Sequence, residues 1–178
     1  MRDKPLIDER WKFRLSWHCQ LNLNWNAVIY GLNPILMIVK NDWKVIRMKD
    51  IYVVGAILIK DQRILCAQRG GAKSLAYLWE FPGGKIEAGE TAQGALKREL
   101  EEELKIQVQV SPEIFDTSAY EYDFGRVHLT TIICQLEQGE PFLTEHKAIK
   151  WLKPSELKSL DWAPADLPAV DKLSQMTL

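Results

Sequence analysis

Between Gly83 and Ile106 the chain runs GGKIEAGETAQGALKRELEEELKI. The stretch opens on Pro82-Gly83-Gly84, a turn that suits neither helix nor strand. Thr91 then fits a helix N-cap, and helical spacing continues to about Leu104. Ala92, Ala95, Leu96, Leu100 and Leu104 make an apolar stripe along one side. Glu99, Glu102 and Glu103, at i, i+3 and i+4, share another face. A helix of this kind has to bury its stripe on a second layer. Its acidic face must meet solvent or hold something positive.

Strand-like segments around it can supply that layer. Ile51 to Ile59 is an apolar run rich in β-branched residues. Lys60-Asp61-Gln62 is a polar turn, and Arg63 to Gln68 returns as a second strand of a hairpin. Arg69 to Lys73 is a basic loop containing glycine. Leu78 to Phe81 is a short apolar approach to the glycine pair. Further strands are expected over Ile106 to Val110, Ile114 to Tyr122, Val127 to Leu136 and Ala148 to Leu152. Pro154 to Leu160 begins a short helix with proline in its first turn. A last helix spans Leu167 to Met176. Interleaved strands and helices with hairpins predict an α/β fold, a mixed sheet sandwiched by helices.

The orderly region starts near Met48. Before it, residues 1 to 47 show no sustained period, and Trp11, Trp17, Trp25 and Trp43 cluster there. This segment reads as an N-terminal extension, with Met48 as an alternative start for a domain over 48 to 178. The chain of 178 residues, 47% hydrophobic and 26% charged, suits one globular domain with an appendage. A formal net charge of −1 argues neither for nor against a nucleic-acid or acidic-membrane partner. Ala27 to Val39 is apolar, but too short to span a bilayer comfortably and interrupted by Asn33-Pro34. The first residues are too charged for a secretory signal. Cys19, Cys66 and Cys134 are scattered without metal-type spacing and read as reduced, mostly buried thiols of a cytoplasmic protein. His18 and His128 read as structural.

The acidic face carries the chemistry. Three carboxylates on one face repel, and crowding raises their pKa values unless a cation sits among them. A hard divalent ion such as Mg2+ fits, because it takes carboxylate and carbonyl oxygens and completes its shell with water and phosphates. The glycine turn can bring a bare carbonyl close to such an ion. Taken alone, Glu99-Leu100-Glu101-Glu102-Glu103 is also what a solvated helix face looks like. The wider spacing decides. Gly84 is followed by Glu90, then by Arg98-Glu99, an aliphatic residue and Glu102-Glu103. This resembles the Nudix box, G-x5-E-x7-R-E-U-x-E-E-x-G-U, at every fixed position but one. Lys105 replaces the last glycine, which usually ends the helix at positive φ.

The resemblance, which covers about Asp50 to Met176, implies a Nudix α/β/α sandwich. It looks closest to the MutT-like and CTP pyrophosphohydrolase-like nucleoside triphosphate diphosphatases. ILCAQR, LWEFPGGK, EHKAIKWL and APADLP carry it outside the box. It implies that Glu99, Glu102 and Glu103 ligate Mg2+, or Mn2+ in its place, with help from the Gly83 carbonyl. Glu90 and Arg98 would form an ion pair that fixes the loop to the helix. Glu145 resembles a loop glutamate that binds a further metal or serves as general base; otherwise it is a surface acid. Arg69 would touch substrate phosphate, or be a solvated loop cation. Asp166 stands where this group reads the base, and is also a natural N-cap for the last helix. An ionised Asp166 only accepts hydrogen bonds, which leans towards cytosine nucleotides without excluding oxidised purines. Trp79, Phe81, Tyr120 and Tyr122 lie near the expected base pocket, with core packing expected for most and a substrate contact expected for Phe81.

The expected activity is hydrolysis of (deoxy)nucleoside triphosphates to monophosphate and pyrophosphate. CTP or dCTP types and oxidised nucleotides such as 8-oxo-dGTP are the expected substrates. Alternatives are a nucleotide-sugar or dinucleotide diphosphatase, and a non-catalytic nucleotide-sensing module. The intact glutamates argue against the last. The expected partner is a small nucleotide, with no nucleic-acid polymer and no membrane, on a monomer or homodimer.

Overall fold

The computed structural model describes residues 48–178. The expected extension over residues 1–47, with His18, Cys19 and its four tryptophans, lies outside the described residues.

β1 (Asp50–Lys60) and β2 (Arg63–Gln68) form the predicted hairpin. Asp61 and Gln62 both take positive φ, 49° and 57°, as a two-residue turn between antiparallel strands requires. The strands pair only beside this turn, Ile59 with Ile64 and Lys60 with Arg63. They then diverge, and the chain from Trp79 to Ile86 enters between them. β3 (Trp79–Glu80) pairs with the end of β2. Beyond it, the Ala56 N–H donates to Pro82 O and the Val54 N–H to Gly84 O, both at 2.8 Å. The glycine turn is thereby tied to the middle of β1. A Cβ on Gly83, which has φ 155°, would lie 2.2 Å from Val54 O, so no other residue fits there without movement.

α1 (Ala92–Leu104) follows, with Thr91 capping it through a 3.1 Å bond from the Gly94 N–H. β4 (Gln107–Tyr122) and β5 (Gly125–Gln138) make a long antiparallel hairpin, and β5 lies parallel to β1. β6 (Ala148–Leu152) pairs antiparallel with β2. A 3-10 helix over Pro154–Ser159 and α2 (Leu167–Leu173) complete the chain. The six strands make one mixed sheet with helices on both faces.

Alternation along β1 separates the two faces. Val54, Ala56 and Leu58 pack on Ala95, Leu96, Leu100 and Leu104 of α1. Ile57 joins Ile64, Trp79, Phe81, Leu157 and Leu173 on the other side. Burying each leucine of the α1 stripe contributes about 1.5–3 kcal/mol. Packing of that stripe, more than helix propensity, fixes α1 over the glycine turn.

Three elements differ from expectation. The two strands expected over Ile106 to Val110 and Ile114 to Tyr122 are one strand, β4, with register shifts between Val110 and Asp116. Pro112 has no N–H for the ladder, and a bulge lets the strand continue past it. The helix expected from Pro154 is the tighter 3-10 form. α2 stops at Leu173, before Met176. Lys105 adopts φ 58° and ψ 34°, the left-handed conformation of the glycine it replaces. Its N–H bonds Glu101 O at 3.2 Å, so the helix ends as a glycine would end it, at a cost of about 1 kcal/mol. Cys66 and Cys134 are free and buried, and burial pushes both thiols up to about 12. No helix among the described residues is long and apolar enough to cross a membrane.

Candidate active site

A cleft of about 590 Å3 opens between α1, the glycine turn and the β4–β5 hairpin. Glu99, Glu102, Glu103 and Arg98 line one end, over Gly83 and Gly84. Phe81, Tyr122, Phe124 and Asp166 line the other. Arg69, Lys73 and Glu80 stand between.

At the first end Arg98 grips Glu90 with two bonds, Nε to Oε1 at 2.8 Å and Nη2 to Oε2 at 2.9 Å. Nη2 also donates to Lys85 O at 3.0 Å. The expected ion pair therefore ties the loop to the helix. The bonds from Arg98, then that from the Glu87 N–H, hold the Glu90 carboxyl down at about 2. Arg98 also reaches two of the expected metal ligands, Glu99 Oε1 at 2.9 Å and Glu102 Oε2 at 3.3 Å.

The expected ligands consequently do not converge on one point. No cluster of three or more His, Cys, Asp or Glu side chains with metal-binding geometry occurs among the described residues. Repulsion among three acids explains it, because each carboxylate turns to the nearest cation. The donor set nonetheless fits a hard divalent ion. Glu103 Oε2 is buried without a hydrogen-bond partner among the described residues. Gly84 cradles Glu99, since a Cβ there would lie 2.3 Å from its carboxyl carbon. The carbonyls of Pro82 and Gly84 accept bonds from β1, whereas that of Gly83 takes no part in this pairing. Burial raises the Glu103 carboxyl, while His146 and Lys73 pull against it.

Lys73 lies 3.7 Å from Glu103 Oε1 and bonds Glu145. Glu145 is about half exposed and stands at the edge of the site, joined to it by this lysine and close to Glu103 and His146. The bond from Lys73 holds the Glu145 carboxyl below the usual range. Burial works against the Lys73 ammonium, but its bond to Glu145 and three nearby acids together raise it. Arg69 pairs with Glu80 and donates to Ser74 O at 2.7 Å while facing the cleft. His128 pairs with Asp50 at 2.8 Å and stacks on Tyr52, as a structural histidine would.

At the second end Asp166 is buried and its Oδ1 accepts the Phe81 N–H at 3.0 Å. It stands at the N-cap position of α2 but makes no capping bond. Burial drives its carboxyl well above the ordinary range. Desolvation disfavours the ionised, acceptor-only form and favours a neutral group that both donates and accepts. Tyr122 also departs from the core role expected for most of the aromatics. It lines the cleft, and its hydroxyl accepts the Ala165 N–H at 3.0 Å, which holds the segment before α2 in place. Phe81 and Trp79 are core residues, and Phe81 lines the cleft as well.

Sequence patterns did not single out Lys73, Glu80 or His146. Glu80 lies inside LWEFPGGK and His146 directly follows Glu145, but nothing local reveals that the two meet, with His146 Nε2 3.3 Å from Glu80 Oε1.

Fold and site together define a class, an α/β/α sandwich enzyme with a loop–helix–loop of carboxylates. Residues 49–173 match the NUDIX domain family. A protein of Mycobacterium tuberculosis named putative 8-oxo-dGTP diphosphatase 2 is 40% identical over 122 residues, 67% of this chain and 84% of that protein. The CTP pyrophosphohydrolase of Escherichia coli is 40% identical over 124 residues, 70% of this chain and 91% of that protein. A solution structure of the DNA mismatch repair protein MutT of methicillin-resistant Staphylococcus aureus, described as a Nudix hydrolase, shares 53% identity at a TM-score of 0.60. It covers 71% of this chain and 96% of that one. The chain belongs to the Nudix family and is a Nudix hydrolase. Enzymes of this family generally need a divalent metal ion and act on small nucleotide substrates.

Proposed function

We propose that the protein is a Mg2+-dependent nucleoside triphosphate diphosphatase of the cytoplasmic nucleotide pool, acting on cytidine or oxidised purine nucleotides. The relatives named for 8-oxo-dGTP and CTP support the substrate class. The observation that carries the proposal is one cleft with a carboxylate helix at one end and the buried Asp166 at the other. That layout suits a ligand with phosphates at one end and a base at the other.

Glu99, Glu102 and Glu103, with the Gly83 carbonyl, would hold the ion; Mn2+ can replace it. When bound, the ion neutralises phosphate charge and acidifies or orients water. Arg69 turns from Glu80 to a phosphate oxygen. Glu145 is ionised at neutral pH, since its carboxyl lies below the usual range, and is the candidate to take the proton of the attacking water. Water adds its oxygen to phosphorus, the bridging P–O bond breaks, and monophosphate and pyrophosphate leave. A neutral Asp166 matches an edge with one donor and one acceptor. The N4–H and N3 of cytosine present such an edge, and so do the N7–H and O6 of 8-oxoguanine.

A pyrophosphate-release panel with Mg2+ over CTP, dCTP, 5-methyl-dCTP, dGTP, 8-oxo-dGTP and ADP-ribose tests this. Release from a cytidine or 8-oxo nucleotide above dGTP is expected. Activity confined to ADP-ribose, or tight binding of one member without turnover, would sink it.

A further inference from the structure

His146 occupies an unusual position for a buried histidine. Its side chain is only 2% exposed, yet it packs against two acids. Nε2 lies 3.3 Å from Glu80 Oε1 and 3.9 Å from Glu103 Oε2. Both neighbours are acceptors, so Nε2 carries the proton. Nδ1 is buried with no hydrogen-bond partner among the described residues. A histidine retained for packing alone would have both nitrogens paired, or would be replaceable by an apolar residue.

Glu103 has the complementary deficit. Its Oε2 is buried and unpaired, while Lys73 approaches the other oxygen, Oε1. An unpaired buried carboxylate oxygen is costly. The ring is well placed to supply the missing donor. The Lys147 N–H bonds Gln68 O at 2.8 Å and fastens this segment to β2. Glu80, itself paired with Arg69, approaches the same Nε2, so the single Nε2 proton lies between the two acids. The imidazole is thus fixed by groups other than Glu103, and a small turn of the Glu103 carboxylate brings Oε2 to Nε2.

We infer that His146 is a positioning residue that donates from Nε2 to Glu103 Oε2 and fixes the plane of that carboxylate for metal binding. The inference rests on the metal role of Glu103 in the reading above. It also gives Glu80 a role, as the anchor of the ring. A partner of this sort behind a ligand typically matters about 10- to 100-fold in metal affinity or activity.

The test uses the full chain and Mn2+ as the probe, with free ion followed by electron paramagnetic resonance. Three variants are compared, His146→Gln, His146→Asn and His146→Leu. The glutamine amide nitrogen reaches the place of Nε2; asparagine is too short, and leucine has no donor. Expected is about tenfold or more weaker Mn2+ binding in the Asn and Leu variants, with most of it recovered in the Gln variant. Melting temperatures should match among the variants, and kcat should follow Mn2+ affinity while nucleotide KM stays level. If one variant fails to fold, the remaining donor-deficient variant against His146→Gln carries the comparison. Equal affinity in Gln and Asn variants, wild-type affinity in all three, or loss of fold in all three would overturn the inference. Absence of Mn2+ binding by the wild-type chain would instead overturn the metal reading itself, and this inference with it.

Discussion

At one end of the cleft, Glu99, Glu102 and Glu103 stand on successive turns of one helix and are held apart by Arg98, Lys73 and His146. At the other, Phe81, Tyr122 and Asp166 come from three separate segments and meet around one buried carboxyl. The first end is charged and partly exposed, and its acids pair with Arg98 and Lys73. The second is desolvated, and its acid is pushed towards neutrality. Opposite environments thus act on the carboxylates of one cleft in opposite ways: cations pair with those on the helix, and burial pushes Asp166 towards the neutral form.

The largest effect that can break this contrast is at Glu103. Glu103→Gln removes one acid from the carboxylate end and should lower kcat by about 10²-fold or more, with circular dichroism unchanged. Near-normal turnover would remove Glu103 from the chemistry. Next is Asp166→Asn, which keeps an acceptor for the Phe81 N–H. It should shift the ratio of kcat/KM between dCTP and 8-oxo-dGTP by about tenfold, the scale of one good base contact, and change the summed rate less. An unchanged ratio would mean that Asp166 does not face the base.

The pH dependence of stability sharpens the same contrast, because the two acids have opposite sign. Glu90 has a folded-state value of about 2, below the 4.5 of a free glutamate. It therefore contributes stability that is present above about pH 4.5 and lost as pH falls towards 2. Glu90→Gln should flatten the acid limb of the melting curve in that window. Asp166 is raised instead, so its charged form destabilises the fold once the free group ionises. Asp166→Asn should raise the melting temperature at neutral pH, with the gain vanishing below about pH 4, near the free aspartate value. A gain at acid pH only would reverse the assignment. The smallest effect lies outside the cleft: Lys105→Gly relieves a left-handed lysine and should stabilise by at most about 1 kcal/mol in thermal unfolding.

The carboxylate end was legible because its parts lie within one turn-and-helix unit. The spacing from Gly84 through Glu90 and Arg98 to Glu103 fixes which side chains can meet, whatever surrounds them. The hairpin of β1 and β2 and the stripe of α1 were legible for the same reason. Merging of two expected strands into β4 was not, since Pro112 looks like a break until a bulge absorbs it.

The sequence by itself therefore determined the family and the acidic helix, and its resemblance implied the Glu90–Arg98 pair; the left-handed ending at Lys105 was decided by the structure. The helix follows from local periodicity, and the family and the pair from the resemblance of the box. Only the tertiary structure decided that Asp166 is desolvated, that Tyr122 faces the cleft, and that Glu80 and His146 meet beside Glu103. Burial and long-range contact are properties of packed surfaces. No spacing along the chain encodes the distance between Glu80 and His146, because the sheet, through β2, β3 and β6, sets it.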